Sequence, residues 1–208
     1  MIKAIIFDVG GVLIRTIDHS PRRQWEQKLG LAEGESEQIV FNSEIGQKAQ
    51  RGAVTDEALW TWVGQRLNLS PTDLAAFRND FWAGDALDSE LVDFIRRLRP
   101  AYQTAVISNA TDALYDSLVN QHKIADAFVL IVASAREKIM KPAPEIFQRT
   151  LQRLKRQPEE AVFIDDFAHN IQAAQALGWH TIHFQPGTNV PAALAKLGVV
   201  PPDETGLT

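Results

Sequence analysis

Five short runs of apolar and β-branched residues are distributed along the chain, and they constrain its fold more than any other feature. These runs are AIIF, TAVIS, FVLIVAS, AVFID and HTIHF, which begin at Ala4, Thr104, Phe128, Ala161 and His180. Continuous apolar runs separated by helical patterns are typical of strands buried on both faces of a parallel sheet. The alternation predicts an α/β fold with a Rossmann-like parallel-sheet core.

The segments between the later runs have helical periodicity. They are TDALYDSLVNQH, APEIFQRTLQRLKR and AHNIQAAQALG, which begin at Thr111, Ala143 and Ala168. The third segment ends at Gly178, a residue type that commonly terminates helices. We therefore expect one helix between each pair of neighbouring strands after the second.

The long segment between the first and second apolar runs has a different texture. It contains no convincing strand, and its pieces show helical spacing with good helix starts at Thr55 and Ser70. A crossover between parallel strands needs only about a dozen residues. We therefore predict a helical cap inserted at residues 16–87, in which most tryptophans pack internally, and a core formed by residues 1–15 and 88–208.

Composition and charge exclude several classes of protein. The chain has 26 acidic and 21 basic residues and a net charge of -5, so a nucleic-acid partner is not indicated. It has no cysteine, which excludes disulfides and thiolate metal sites and favours the cytosol. Asp8 interrupts the first apolar run, which does not fit a signal peptide. The run at residues 127–135 is far shorter than the roughly 20 residues of a membrane span.

Polar residues stand where the apolar runs stop. They are Asp8, Ser108, Asn109, Asp165 and Asp166, and Lys141 follows the third run before a predicted helix. In an open parallel sheet, ligands bind outside the carboxyl ends of the strands, so these side chains should converge on one edge. Carboxylates, a hydroxyl and an ammonium group together suit a phosphate dianion and a hard divalent cation such as Mg²⁺.

Four motifs in this order carry a resemblance to a known family. They are FDVGGVL, VISNA, KIMKPAPEIF and FIDDFAHNIQAAQALGWHTIHF, and together they span nearly the whole predicted core. The sequence resembles the haloacid dehalogenase (HAD) superfamily, in particular its phosphatase-like members with a small helical cap after the first strand. The resemblance implies a hydrolase that acts on a small phosphorylated metabolite, as a monomer or a homodimer.

The resemblance also implies how a nucleophile and a metal ion are held. Asp8 would attack phosphorus and form an aspartyl-phosphate. Asp8, Asp165 and the backbone carbonyl of Gly10 would bind Mg²⁺, and Asp166 would act from outside this set of ligands.

The remaining motif residues would bind the phosphoryl group. Ser108 would donate to a phosphate oxygen, helped by backbone N–H groups around Val9, Gly10 and Asn109, and Asn109 could also cap the helix that follows. Lys141 would neutralise the negative charge of the nucleophile and the phosphoryl group.

Gly10 departs from the usual phosphatase pattern, in which a second Asp two residues after the nucleophile protonates the leaving group. A general acid typically contributes about 10² to 10⁴ in rate. One interpretation is a phosphatase that uses another acid or substrates with good leaving groups. A second is a 2-haloacid dehalogenase, although the two acids of IDD suit a metal that dehalogenases do not use. A third is a catalytically weak binding or regulatory protein.

Charged residues near the start of the predicted cap leave further alternatives open. His19 could overhang the site and replace the missing acid. Arg15, Arg22 and Arg23 could bind a second anionic group of the substrate or lie solvated at a helix start. At the other end of the chain, we expect residues 199–208 to be loosely held.

Overall fold

The computed structural model describes residues 1–202 and contains a five-stranded parallel sheet of order β5-β4-β1-β6-β7. The strands of the protein are β1 (Ala4–Phe7), β2 (Ile14–Thr16), β3 (Asp85–Leu87), β4 (Gln103–Ser108), β5 (Leu130–Ala133), β6 (Ala161–Asp165) and β7 (His180–His183). Phe7 at the end of β1 is aligned with Val106 and Ile164 on the two neighbouring strands. The predicted α/β class and parallel sheet are confirmed, although the third run enters the sheet only at Leu130.

Helices cover both faces of the sheet and fill the segment between β2 and β3. They are α1 (Ser20–Leu29), α2 (Glu35–Glu37), α3 (Glu44–Gln50), α4 (Asp56–Arg66), α5 (Pro71–Ala83), α6 (Ser89–Leu98), α7 (Leu114–Asp116), α8 (Ser134–Glu137), α9 (Pro144–Leu154), α10 (Ala168–Ala176) and α11 (Val190–Ala195). The hydroxyls of Thr55 and Ser70 cap α4 and α5, as expected. Short helices α2 and α7 continue as π-helical turns at Gln38–Asn42 and Ser117–Gln121.

Successive residues of β1 alternate between two hydrophobic clusters, as the period of a strand requires. Ile5 and Phe7 lie in the cluster that contains α6 and α11, whereas Ile6 lies in the cluster that contains α9. Because all four residues of the strand are buried, β1 is fixed from both sides. Asp8 therefore leaves the sheet from a rigid position.

A third cluster of buried side chains belongs to the segment between β2 and β3. Its centre is aromatic, with Trp60 packed edge-on against Phe77 and Phe81, and Trp25 packed edge-on against Phe77. Trp82 is the exception to the expected internal packing of the tryptophans, since it is 43% exposed. The separate cluster supports the predicted cap, although the boundaries at residues 16 and 87 stay a prediction.

The expectation that this segment contains no strand is wrong. Strands β2 and β3 pair in antiparallel fashion, with Ile14 opposite Leu87 and Thr16 opposite Asp85. The hydroxyl of Thr16 donates to Asp85 Oδ1 at 2.6 Å. Each strand has only three half-buried residues, which is too short for an alternating pattern to be visible. The chain enters the cap through β2 and leaves it through β3, and these two segments are hydrogen-bonded to each other.

Further hydrogen bonds connect the cap to the core away from the β2–β3 ribbon. The Thr111 hydroxyl donates to Asp56 Oδ1 at 2.7 Å, and the Asp56 N–H donates to Asp112 Oδ1 at 2.8 Å. The buried Ser134 hydroxyl donates to the Gln50 carbonyl at 2.6 Å. Thr111 thus contacts the cap, and the helix predicted to begin there starts later, at α7.

Within residues 1–202, no helix combines the length and apolar character that crossing a bilayer requires. Residues 203–208 of the tail predicted to be loosely held lie outside the described residues.

Candidate active site

Asp8, Lys141, Asp165 and Asp166 meet at the carboxyl end of the sheet, and we call this group the core edge. Lys141 Nζ lies 2.8 Å from Asp8 Oδ2 and 2.6 Å from Asp165 Oδ2. The side chains of Lys141 and Asp165 are 1% and 0% exposed. An ammonium group therefore bridges two buried carboxylates from neighbouring strands.

Asn109 fixes the position of Lys141. Its side-chain amide donates to the Lys141 carbonyl at 2.9 Å, and its Oδ1 accepts from the Lys141 N–H at 2.8 Å. The Asn109 side chain does not cap α7, whose cap residue is Ala113. The pair of hydrogen bonds explains how a loop lysine, ordinarily mobile, is held in place above the sheet.

Asp165 is occupied by protein groups on both carboxylate oxygens. Oδ1 accepts from the Phe167 N–H at 2.7 Å, and the Asn170 amide lies 3.1 Å from both oxygens. Oδ2 also accepts from Lys141. Asn170 is a site residue that the sequence reasoning missed, although its position in the first turn of α10, close after Asp165, could have indicated it. Asp165 is thus a buried anchor for Lys141.

Asp166 differs from its neighbour in facing the cavity. Its Oδ1 is buried and has no hydrogen-bond partner among the described residues. Gly11 makes room for this carboxylate, since a Cβ at Gly11 would lie 2.2 Å from Asp166 Oδ2. Gly11 also has a φ of 80°, which side-chain-bearing residues rarely adopt. The second glycine of FDVGGVL therefore leaves the space that the Asp166 carboxylate of the IDD sequence occupies.

The charges of the core edge do not balance. Oxygens of Asp8, Asp165 and Asp166 lie within 4.8 Å of one another, against the single ammonium group of Lys141. Burial raises the pKa of Asp8 to about 7, although Lys141 opposes the shift, and repulsion from Asp165 adds to it. Burial and repulsion from Asp165 also raise the pKa of Asp166. A divalent cation would compensate this excess negative charge and occupy the unpartnered oxygen of Asp166.

A cavity of about 1500 Å³ lies between the core edge and the cap. Asp8, Ser108 and Asp166 line its core side. Gly10 also lines it, is exposed, and would accept a Cβ with no atom within 4 Å. The place of the usual acidic side chain is therefore open space rather than a volume filled by another residue.

Arg22, proposed as a ligand for a second anion or a solvated residue, is neither free nor solvated. It is buried, and its guanidinium group bonds Glu37 at 2.6 Å, Asp85 at 2.9 Å and the Phe81 carbonyl at 2.6 Å. Both positive charge and hydrogen-bonding capacity are used inside the protein. Glu37 lines the cavity beside it.

The other charged residues at the start of the cap are also paired. Arg15 bonds Asp88 at 2.9 Å, and the exposed Arg23 bonds Glu33 at 2.5 Å. His19 lines the cavity with half of its side chain exposed, and its Nδ1 lies 3.8 Å from Glu37 Oε1. A role for His19 as the missing acid stays a prediction.

Comparisons with known proteins identify the family and several relatives of the chain. A family model described as haloacid dehalogenase-like hydrolase matches residues 2–178. The chain is 29% identical to D-ribitol-5-phosphate phosphatase from Bacteroides thetaiotaomicron over 89% of this chain and 92% of the relative. It is 26% identical to a sesquiterpene phosphatase from Aspergillus oryzae over 87% of this chain and 89% of the relative.

A solved structure shows the same fold. It is a HAD family enzyme from Bacteroides thetaiotaomicron in complex with magnesium and inorganic phosphate, with a TM-score of 0.77 and 22% identity. The match covers 93% of this chain and 99% of the solved one, so core and cap segments are both included.

Proposed function

The chain belongs to the haloacid dehalogenase-like hydrolases, and from this premise we propose that it is a Mg²⁺-dependent phosphatase of small phosphate monoesters such as sugar phosphates. The observation that carries the proposal is the unpartnered, buried Asp166 Oδ1 beside Asp8, at the floor of a cavity large enough for a metabolite. The names of two relatives, a ribitol-phosphate phosphatase and a sesquiterpene phosphatase, support the same reaction class.

We assign the metal ion to Asp8 and Asp166, with the Gly10 carbonyl as a third protein ligand. This differs from the sequence interpretation, in which Asp165 was the ligand and Asp166 stood apart. We choose Asp166 over Asp165 because both oxygens of Asp165 already accept hydrogen bonds from Lys141, Asn170 or a backbone N–H, whereas Asp166 Oδ1 has no partner among the described residues. When bound, Mg²⁺ supplies positive charge that offsets the carboxylates and the phosphoryl oxygens.

In the proposed reaction, a carboxylate oxygen of Asp8 attacks the phosphorus atom and the bond from phosphorus to the ester oxygen breaks. Water then attacks the phosphorus of the aspartyl-phosphate, which releases inorganic phosphate and regenerates Asp8. Ser108 donates its hydroxyl to a phosphoryl oxygen, and Lys141 offsets the charge of the transferred group. Phosphoryl transfer depends mainly on such positioning and electrostatic stabilisation.

The open space at Gly10 decides which substrates react fastest. No side chain at that position gives the leaving oxygen a proton, so the proton comes from water or from a more distant group. Esters whose leaving group is stable as an anion need that proton least. We expect aryl, acyl and anomeric sugar phosphates to be hydrolysed faster than simple alkyl phosphates.

Phosphate release from a panel of monoesters, with Mg²⁺ and with EDTA, tests the proposal. We expect turnover with Mg²⁺ only, and its loss in Asp8→Asn. Asp93→Asn is the matched control, since that carboxylate is 72% exposed on the surface of the core. Halide release from 2-chloropropionate without metal would instead identify a dehalogenase. Mg²⁺ binding without any turnover would identify a binding or regulatory protein.

A further inference from the structure

Several cap residues line the cavity, and four of them are Glu37, Phe41, Asn42 and Trp82. We name this group the cap subsite. We propose that the cap subsite binds the non-phosphate body of the substrate and selects a body that is hydroxylated and carries no second negative charge. The inference rests on the proposed phosphatase function and specifies its substrate class.

Within the cap subsite Trp82 is exposed and Phe41 is half-buried, whereas Trp25, Trp60, Phe77 and Phe81 at the centre of the cap's hydrophobic cluster are buried. Trp82 is 43% exposed. The centre of its ring lies 5.8 Å from the ring centre of Phe41 and 4.9 Å from that of Phe81, and both pairs are edge-on. An indole fixed in this way presents a rigid flat surface to the cavity. Such a surface packs against the C–H face of a carbon chain or sugar ring.

Glu37 provides the polar part. Its Oε1 accepts from Arg22 at 2.6 Å, and Arg22 is itself held by Asp85 and the Phe81 carbonyl. The Glu37 side chain remains 35% exposed, so the carboxylate is fixed on one side and open on the other. An ionised carboxylate only accepts hydrogen bonds, and it therefore favours hydroxyl donors and repels anions.

The local backbone explains why these residues share one wall. Glu37 ends α2, and the π-helical turn Gln38–Asn42 follows it directly. A π-helical turn changes the direction of the side chains relative to an α-helix and is frequent at functional sites. Here it places Phe41 and Asn42 on the cavity together with Glu37. The Asn42 amide adds both a donor and an acceptor.

The guanidinium groups of Arg15 and Arg22 are not available to bind a second anionic group of the substrate. Three arginines line the cavity. Arg15 and Arg22 are each paired with a carboxylate at 2.9 Å or less, and Arg97 lies on α6 of the core with its guanidinium carbon 5.7 Å from the centre of the Phe94 ring. A phosphate ester with an additional carboxylate would face Glu37 without gaining the guanidinium group of Arg15 or Arg22. The cap subsite therefore discriminates by charge as well as by hydroxyl content.

Two ligands that differ in one group test the inference: glucitol 6-phosphate and 6-phosphogluconate, which replaces a hydroxymethyl group by a carboxylate. We expect kcat/KM to favour glucitol 6-phosphate by about tenfold or more, the range of one hydrogen bond to a charged group. In Glu37→Gln this preference should fall close to unity. Trp82→Ala should weaken both ligands by about tenfold. Glu44→Gln, with an 80% exposed side chain, and Tyr115→Ala are matched controls outside the cavity.

Calorimetric binding of both ligands to Asp8→Asn with Mg²⁺ separates this inference from the proposed function. If wild type turns over no phosphate ester but the binding preference still depends on Glu37, the phosphatase proposal fails and the cap subsite stands. If both esters are hydrolysed or bound equally well, or if the preference survives Glu37→Gln in a variant with an unchanged melting temperature, the cap subsite is overturned.

Discussion

The core edge lies across one cavity from Arg22, Glu37 and Asp85, a group that we call the cap wall, and the two regions differ in how their charges are paired. At the core edge, three carboxylates share one ammonium group. On the cap wall, Arg22 lies between Glu37 and Asp85, and solvent reaches Glu37. The core edge is thus left incomplete in a way that a cation and a phosphoryl group would complete. On the cap wall, Arg22 contacts both carboxylates directly, and the remaining excess of one negative charge suits this wall to selection against anions.

The two regions also differ in what holds them. Asp8 directly follows β1 and Asp165 ends β6, and these two paired strands are buried on both faces of the sheet. Glu37 and Trp82 lie on helices of a separate hydrophobic cluster, connected to the core through the β2–β3 ribbon and a few hydrogen bonds. Under the proposed function, the catalytic groups are therefore positioned by the sheet, whereas substrate selectivity depends on how the cap packs.

Removing the ammonium group of the core edge should have the largest effect. Lys141→Met leaves the buried carboxylates of Asp8 and Asp165 without their counter-ion, and we expect the free energy of unfolding to fall by about 3–5 kcal/mol. Urea denaturation in EDTA measures it. Lys48→Met, which removes an exposed pair with Glu44, should change stability by less than about 0.5 kcal/mol. Equal effects of the two substitutions would contradict the contrast between buried and exposed charges.

Placing an acid at position 10 tests whether the lack of a proton donor limits turnover at the core edge. Gly10→Asp fits the open space, and we expect turnover of alkyl phosphates to rise by about 10²-fold, the low end for a positioned general acid. Steady-state kinetics on alkyl and aryl esters measures it, and the aryl ester should gain less. Gly10→Asn is the matched control, because it has the same size but no acidic proton. An equal gain in both variants would show that proton donation is not the cause.

Mg²⁺ affinity should depend on pH because the metal and a proton compete for Asp8. The pKa of Asp8 is raised to about 7 without metal, so below that pH the carboxyl holds a proton that Mg²⁺ must displace. We expect the apparent dissociation constant to fall about fiftyfold as the pH rises from about 5 to about 7, and by a further factor of about two at higher pH. Calorimetric titration at several pH values measures it. A Mg²⁺ affinity that stays constant across this pH range would contradict competition between the metal ion and a proton for Asp8.

Removing the cation of the cap wall should have the smallest effect of the four. Arg22→Met loses hydrogen bonds to two carboxylates, but water can reach Glu37, so we expect about 2 kcal/mol of lost stability. The exposed Arg23→Met control should lose less than about 1 kcal/mol. Urea denaturation again provides the comparison. A loss as large as that of Lys141→Met would show that the cap wall is as dependent on its charges as the core edge.

Much of the fold could be predicted because continuous apolar runs and helix-capping residues are local signals. The buried strands, the first residues of helices α4 and α5 after Thr55 and Ser70, and the position of Asp8 all follow from such signals. The β2–β3 ribbon could not be predicted, since its stability comes from pairing residues that are distant in sequence rather than from a local pattern.

The site shows the same limit at the level of single residues. Asp165 and Asp166 are adjacent at a strand end, so the sequence indicates two carboxylates but not which one faces the cavity. Only the positions of Asn170 and Lys141 show that Asp165 is occupied by the protein. In the same way, the sequence does not reveal that Arg22 is neutralised by Glu37 and Asp85, because those pairs depend on cap packing.

A crystal structure determined with Mg²⁺ and beryllium fluoride, a phosphoryl analogue, would test the central claim most directly. We predict a single Mg²⁺ bound by oxygens of Asp8, Asp166 and the Gly10 carbonyl at about 2.0–2.1 Å. The analogue should be attached to Asp8, and Asp165 should still accept from Lys141. An ion bound to Asp165 in place of Asp166, or an analogue bound away from Asp8, would contradict the account.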